Sequence, residues 1–383
     1  MRAISSVGLA IVLLLAACGG ERPDMGGRVT AEVPEGALPL YDAQSRINVL
    51  APQASILAGS APKRFGSDGD LDVLVLSGGG SNGAYGAGVL YGWTQSGKRP
   101  EFDVVTGVST GALIAPLAFA GPAYDEELRQ FYTTIDDRDI FRDRGLRGLL
   151  SNAVLDSAPL RARIAAVVTS GFLELIAREQ KKGRRLYIAS TDLDEGESVV
   201  WDMGGLAASD LPDKRDRFID AMLASASVPG VFPPVFIGDG RGGPPHMHVD
   251  GGVKSSILLR DFMIAGRYRS RHVYMVLNAC MCLGTFGAPV KDTILGITGK
   301  SIGQMLRDSL YRETELAFVM TKNAGIPTKL TYIPDRITPP DPISFDAPAM
   351  ARLFAAGRTV GLDQKLWLDR PPRLQRFVLG PAR

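Results

Sequence analysis

The chain is 383 residues long, 45% hydrophobic and 22% charged, with a formal net charge of +2. This is a globular composition, and it lacks the basic excess that nucleic-acid binding requires. Three cysteines are too few to read as a disulfide framework.

The chain opens on Met1-Arg2 and an apolar run over 7–17. A membrane-spanning helix needs about 20 apolar residues, so this shorter run reads as the hydrophobic part of a signal peptide. It ends in Leu15-Ala16-Ala17-Cys18-Gly19, which resembles a bacterial lipobox. The expectation is a signal peptide over 1–17 and acylation of Cys18 as the new N-terminus. Each buried CH₂ contributes about 0.8 kcal/mol, and two acyl chains together anchor a protein stably. The mature protein is therefore expected to be exported and held on the bacterial cell envelope, at the outer membrane of a diderm cell because Gly19 rather than Asp follows the cysteine. Residues 18–45 read as the lipidated N-terminus and tether, and 46–383 as one large α/β domain. Cys280 and Cys282 are expected as two thiols, since a bridge between residues two apart departs from ordinary disulfide geometry.

The first strand is expected at Leu71-Asp72-Val73-Leu74-Val75-Leu76, an apolar, β-branched run. Ser77-Gly78-Gly79-Gly80-Ser81-Asn82-Gly83 follows, then a helix through Trp93. Glycines at a strand-to-helix turn suit a phosphate held by backbone N–H groups, but the Gly-Lys-Ser/Thr ending of a phosphate loop is missing. They also suit an oxyanion hole, because a main chain without Cβ atoms approaches a substrate closely. Gly79 and Gly80 would be the donors, each worth about 3 kcal/mol to a transition state.

Phe102-Asp103-Val104-Val105 reads as a strand and 112–118 as a helix, with Thr106-Gly107-Val108-Ser109-Thr110-Gly111 between them. A GxSxG run at such an elbow pushes the serine hydroxyl out at the carboxyl end of a sheet, and Gly107 and Gly111 give the turn its room. Ser109 is the candidate nucleophile; the plain alternative is a helix N-cap serine.

Further on, 126–132 and 158–177 are expected to be helical, with Leu160, Ile164, Val167, Val168, Phe172, Leu175 and Ile176 facing the core. Strands over 186–193 and 198–201 flank a turn at Asp194-Glu195-Gly196-Glu197. A helix over 218–227 stops before Pro229, and 232–236 is extended. Beyond 252 the pattern gives a helix over 257–265, a strand over 273–277, a helix over 306–320 with Leu306, Leu310, Glu313, Ala317 and Met320 on one side, a strand over 330–333 and a helix over 349–361. Packing accounts for these.

His246-Met247-His248-Val249-Asp250-Gly251-Gly252 places two histidines and an aspartate at alternate positions, on one face of a strand. Three chemistries compete. A metal site needs more ligands, and only His272 is left. A Ser-His-Asp triad would take Ser109, Asp250 and His272 in α/β-hydrolase order, although His272 begins an apparent strand. A Ser-Asp dyad would have Asp250 accept the Ser109 proton directly, which burial favours by raising the carboxyl pKa. A turn-forming Asp-Gly is the plain alternative.

In order, the Ser77 to Gly83 loop, Gly107-Val108-Ser109-Thr110-Gly111, Ala224-Ser225-Ala226-Ser227-Val228-Pro229-Gly230-Val231-Phe232-Pro233-Pro234 and Asp250-Gly251-Gly252 resemble the blocks of the patatin-like phospholipase family, across about 71–265. The resemblance implies a three-layer α/β/α fold with a mainly parallel central sheet and a nucleophile elbow. It implies a Ser109/Asp250 dyad, an oxyanion hole drawn from Gly78, Gly79, Gly80 and Ser81, and hydrolysis of lipid carboxylic esters through an acyl-enzyme. No metal and no cofactor are implied; the partners would be a lipid substrate and, through the N-terminal anchor, a membrane. The sequence departs from the family at Asn82, where Lys or Arg is frequent, and at Ser256-Ile257-Leu258, where Asn and Pro are frequent. The rival function is a lipid-binding envelope lipoprotein that keeps the scaffold without turnover.

Overall fold

Apolar runs bounded by turn residues become the strands of one sheet. The computed structural model describes residues 45–47 and 69–371, apart from 144–152, 154, 239–243, 266–267, 282–289, 291 and 293. Cys18, the tether before 45 and Cys282 lie outside the described residues. The strands of this sheet are β1 (Ser45–Ile47), β2 (Leu71–Leu76), β3 (Val104–Val108), β4 (Arg185–Asp192), β5 (Glu197–Asp202), β6 (Val235–Ile237), β7 (His246–Asp250), β8 (Arg271–Cys280) and β9 (Thr328–Ile333). Their order is β1-β5-β4-β3-β2-β8-β9, with β7 on β4 and β6 on β7. From β4 to β9 along that order the pairings are parallel, while β5 and β7 each run antiparallel to β4.

Parallel strands are covered on both faces, which explains their near-continuous apolar runs. Leu74, Leu76 and Val105 enter one apolar cluster, and Leu71, Val73, Val75 and Val104 enter the other. Five helices matter for the site: α1 (Gly83–Gln95), α2 (Thr110–Ala120), α3 (Lys214–Ser225), α4 (Ile294–Asn323) and α5 (Ala347–Leu362). Residues of α1, α2, α3 and α5 pack in the first cluster, and Leu310, Tyr311 and Ala317 of α4 in the second. This is the three-layer α/β/α architecture, with its mainly parallel sheet.

One register detail positions the site. The last β3 pair on β4 is Val108↔Ala189, and β7 meets β4 through Ser190↔Asp250, Thr191↔Val249 and Asp192↔His248. β7 takes over the edge of β4 at the residue after β3 leaves it. The two strands run toward each other and stop end to end.

Several expectations change. The helix expected over 158–177 divides into Ala158–Val167 and Ser170–Lys181, because Thr169 starts a new helix by accepting the Phe172 N–H at 3.2 Å. The helix expected over 257–265 shrinks to Asp261–Ile264. Its first residues turn their backbone to side chains instead: the Ile257 N–H donates to Glu313 at 3.0 Å, and the Leu258 carbonyl accepts the Thr106 hydroxyl at 2.6 Å. α4 begins at Ile294 rather than 306. Cys280 is disulfide-bonded, which corrects the expectation of a thiol there; its partner lies outside the described residues.

α1 and α5 touch backbone to backbone. A Cβ on Gly88 or Gly92 would collide with the carbonyl of Phe354 or Arg358, and one on Gly357 with that of Tyr85. Neither helix can retreat, because α1 leads directly out of the glycine loop. Gly88→Ala is expected to cost about 1–3 kcal/mol through overpacking, read as a lower thermal unfolding midpoint.

Candidate active site

Val108 ends β3 and Thr110 begins α2, so one residue makes the whole reversal. That residue, Ser109, has φ 55° and is the sole non-glycine with positive φ among the described residues. Such a conformation costs on the order of 1–3 kcal/mol and persists where its surroundings over-determine it. A Cβ on Gly107 would collide with the Gly111 carbonyl, and one on Gly111 with the carbonyls of Leu76 and Ser77. The glycines of the motif thus let the elbow close against itself and against β2. Ser109 occupies the helix N-cap position, but its side chain makes no capping hydrogen bond. That rules out the ordinary cap reading.

The elbow is held from below by a residue whose role the sequence did not reveal. The Ser109 N–H donates to the Ser225 hydroxyl at 3.0 Å, and that hydroxyl donates to the Ala189 carbonyl at 2.6 Å. Ser225 is fully buried at the end of α3. Its signal was membership of the Ala224 to Pro234 block, which did not say what the hydroxyl would hold.

Asp250 ends β7 opposite Ser190, and its N–H donates to the Ser227 carbonyl at 2.9 Å. Its Oδ1 accepts the Gly252 N–H at 2.7 Å, so the Asp-Gly turn is real and occupies one oxygen. The other, Oδ2, is buried with no hydrogen-bond partner of ordinary geometry. Burial pushes the carboxyl up to about 6, while the Ser109 hydroxyl and the Gly252 N–H pull it down. The Ser109 hydroxyl thus acts on the carboxyl, although Oδ2 accepts no hydrogen bond of ordinary geometry.

The glycine loop faces the same elbow: a Cβ on Gly78 would lie 3.2 Å from that of Ser109. The Gly78 N–H is engaged by the Ser256 carbonyl at 3.2 Å and the Ser81 N–H by the Pro342 carbonyl at 2.8 Å. These two backbone donors, expected to take part in an oxyanion hole, are already spent on holding the loop. No described group takes the N–H of Gly79 or Gly80. Gly79 has φ 156° and Gly80 φ 57°, and a Cβ would strike the Asn278 carbonyl at the first and the Pro342 carbonyl at the second. The helix N-terminus of α2 adds favourable potential for negative charge at the serine.

The histidines do not join this pair. His248 is buried beside Trp201, with Nδ1 3.1 Å from the Ser190 hydroxyl, and burial pulls its pKa down to about 4. His246 Nδ1 is 2.7 Å from Asp192 Oδ2. Asp192, Asp194 and His246 bring ligand atoms within 4.8 Å of one another, but the carboxyls of Asp192 and Asp194 already accept the N–H groups of Asp194 and Met247. The alternating His-x-His-x-Asp pattern therefore spreads over separate partners and does not converge. His272 pairs in register with Asp72 at the start of β2, its Nδ1 3.3 Å from Oδ1. The 72-to-76 stretch of β2 alone puts roughly 13 Å between that end and the elbow end of the sheet, so the Ser109-His272-Asp250 triad is excluded.

The family model described as Patatin-like phospholipase matches residues 74–263. None of the curated proteins matches the chain. Similar solved structures include VipD from Legionella pneumophila, at 12% identity and TM-score 0.40 over 78% of this chain and 67% of that one. The ExoU–SpcU heterodimer of the Pseudomonas aeruginosa type III secretion system follows at 16% identity and TM-score 0.30, over 76% and 50% of the two chains. The chain spans about half the length of that relative.

Ser225→Ala removes both the acceptor for the Ser109 N–H and the donor to the Ala189 carbonyl. The expected loss is about 1–3 kcal/mol of unfolding free energy, measured by denaturant titration, together with slower reaction of Ser109 with an acylating probe.

Proposed function

Residues 74–263 of this chain belong to the patatin-like phospholipase family, and we propose on that footing that it hydrolyses carboxylic esters of lipids with Ser109 as nucleophile and Asp250 as its base. The observation that supports the reading is the meeting of β3 and β7 on one edge of β4: the strand that leads into Ser109 stops where β7 ends at Asp250, whose carboxyl is buried with one oxygen lacking a hydrogen-bond partner.

In this scheme Ser109 Oγ attacks the acyl carbonyl carbon as its proton passes to Asp250 Oδ2. The N–H groups of Gly79 and Gly80 receive the oxyanion. The bond to the alcohol breaks, the alcohol leaves with the proton from Asp250, and the acyl group stays on Ser109. Water then gives a proton to Asp250 and attacks the acyl carbon. The serine oxygen leaves and recovers the proton, and the fatty acid is released. Neither a metal nor a cofactor is needed.

We extend the proposal to location: acylated Cys18 would hold the enzyme on the membrane that supplies its substrate.

Ser109→Ala and Asp250→Asn are each expected to lower ester hydrolysis by at least about 10⁴-fold with the fold retained, and a fluorophosphonate is expected to label Ser109. Folded wild-type protein that takes no label would favour the lipid-binding rival. Because Asp250 must be ionised to act, kcat/KM should rise with pH through about 6. The same shift gives the folded state the higher proton affinity, so Asp250's contribution to stability is full below the unfolded value of 3.8 and is lost as pH rises through about 6. Cys18→Ser should move the mature protein from the membrane to the soluble fraction on cell fractionation.

A further inference from the structure

The segment that leaves Asp250 is gripped by a side chain from outside the matched stretch 74–263. Glu313 sits on α4. Its Oε2 accepts the N–H of Ser256 at 2.7 Å and of Ile257 at 3.0 Å, and its Oε1 accepts the Ser309 hydroxyl at 2.8 Å. The Ser255 hydroxyl lies 3.2 Å from Oε2 as well.

Ser255 and Ser256 form a hub between the two halves of the proposed machinery. Toward the base, the Ser255 N–H reaches back to the Gly251 carbonyl at 2.9 Å, next to Asp250. Toward the oxyanion loop, the Ser256 carbonyl receives the Gly78 N–H at 3.2 Å. The Ser256 hydroxyl donates to the Leu306 carbonyl at 3.2 Å, a second tie to α4.

We propose that Glu313 is a positioning residue that sets Asp250 and the Gly79–Gly80 donors in register with Ser109 through Ser256. It touches neither catalytic side chain. Without it, two backbone N–H groups lose their acceptor and the hub is free to shift. A displacement near 1 Å costs up to about 100-fold in rate. The inference rests on the Ser109–Asp250 reading above.

The test uses the full chain and a soluble p-nitrophenyl ester, with active sites counted by fluorophosphonate labelling taken to completion. Glu313→Ala is expected to lower kcat per labelled site about 10- to 100-fold, with KM changed far less because Glu313 does not meet substrate. Glu313→Gln keeps both reach and an acceptor oxygen and should retain most of the rate; Glu313→Asp, one methylene shorter, should behave like alanine. A purely structural role would lower the number of labelled sites and leave the rate per site at the wild-type value, and that result overturns the proposal. If Glu313→Ala does not fold, the Gln and Asp variants decide: equal wild-type rates per site in both overturn it. Hydrolysis that persists in Ser109→Ala would instead overturn the dyad reading, and this inference with it.

Discussion

The edge of β4 is shared, and the rest of the site depends on that sharing. β3 occupies it in parallel as far as Ala189, and β7 occupies it antiparallel from Ser190 onward. Two strands that approach head-on along one hydrogen-bonded lane cannot slide past each other. Their last residues must turn away at the same place, one as a strained elbow and the other as an Asp-Gly turn. A one-residue slip of β7 would reverse every side chain on it, and the buried His248–Ser190–Trp201 contacts oppose such a slip.

Strain and burial meet at these strand ends. The left-handed backbone at Ser109 is held by close glycine contacts and by the fully buried Ser225. Burial gives Asp250 a basicity that an exposed carboxyl lacks, while the Gly252 N–H satisfies one oxygen and leaves the other unpaired. An unpartnered carboxyl oxygen in a dry setting is costly for folding alone.

The loop that faces this pair is braced by later parts of the chain. Pro342 receives the Ser81 N–H and crowds Gly80, Asn278 crowds Gly79, and Glu313 acts through Ser256. Each of these lies beyond residue 263, the end of the family match. The C-terminal segments thus complete the walls around a loop contributed by the first βα unit. The bracing also selects among the loop's N–H groups, occupying those of Gly78 and Ser81 and sparing those between.

The sequence by itself determined the elements whose patterns are local. The apolar runs of β2 and β3 and the glycines around Ser109 all report constraints felt within a few residues, and they yielded the α/β/α class and the elbow. Asp250 was legible as a candidate because Asp-Gly-Gly marks a turn, but the sequence left dyad, triad and metal open: spacing along a chain does not say which strand ends meet. Tertiary structure decided that, by sending His272 to the far end of the sheet and β7 to the lane of β3. The contacts of Ser225, Ser256 and Glu313 could not be read for the same reason. A buried serine or a helical glutamate reads as packing or surface until the backbone groups it must satisfy, supplied by distant segments, are brought beside it.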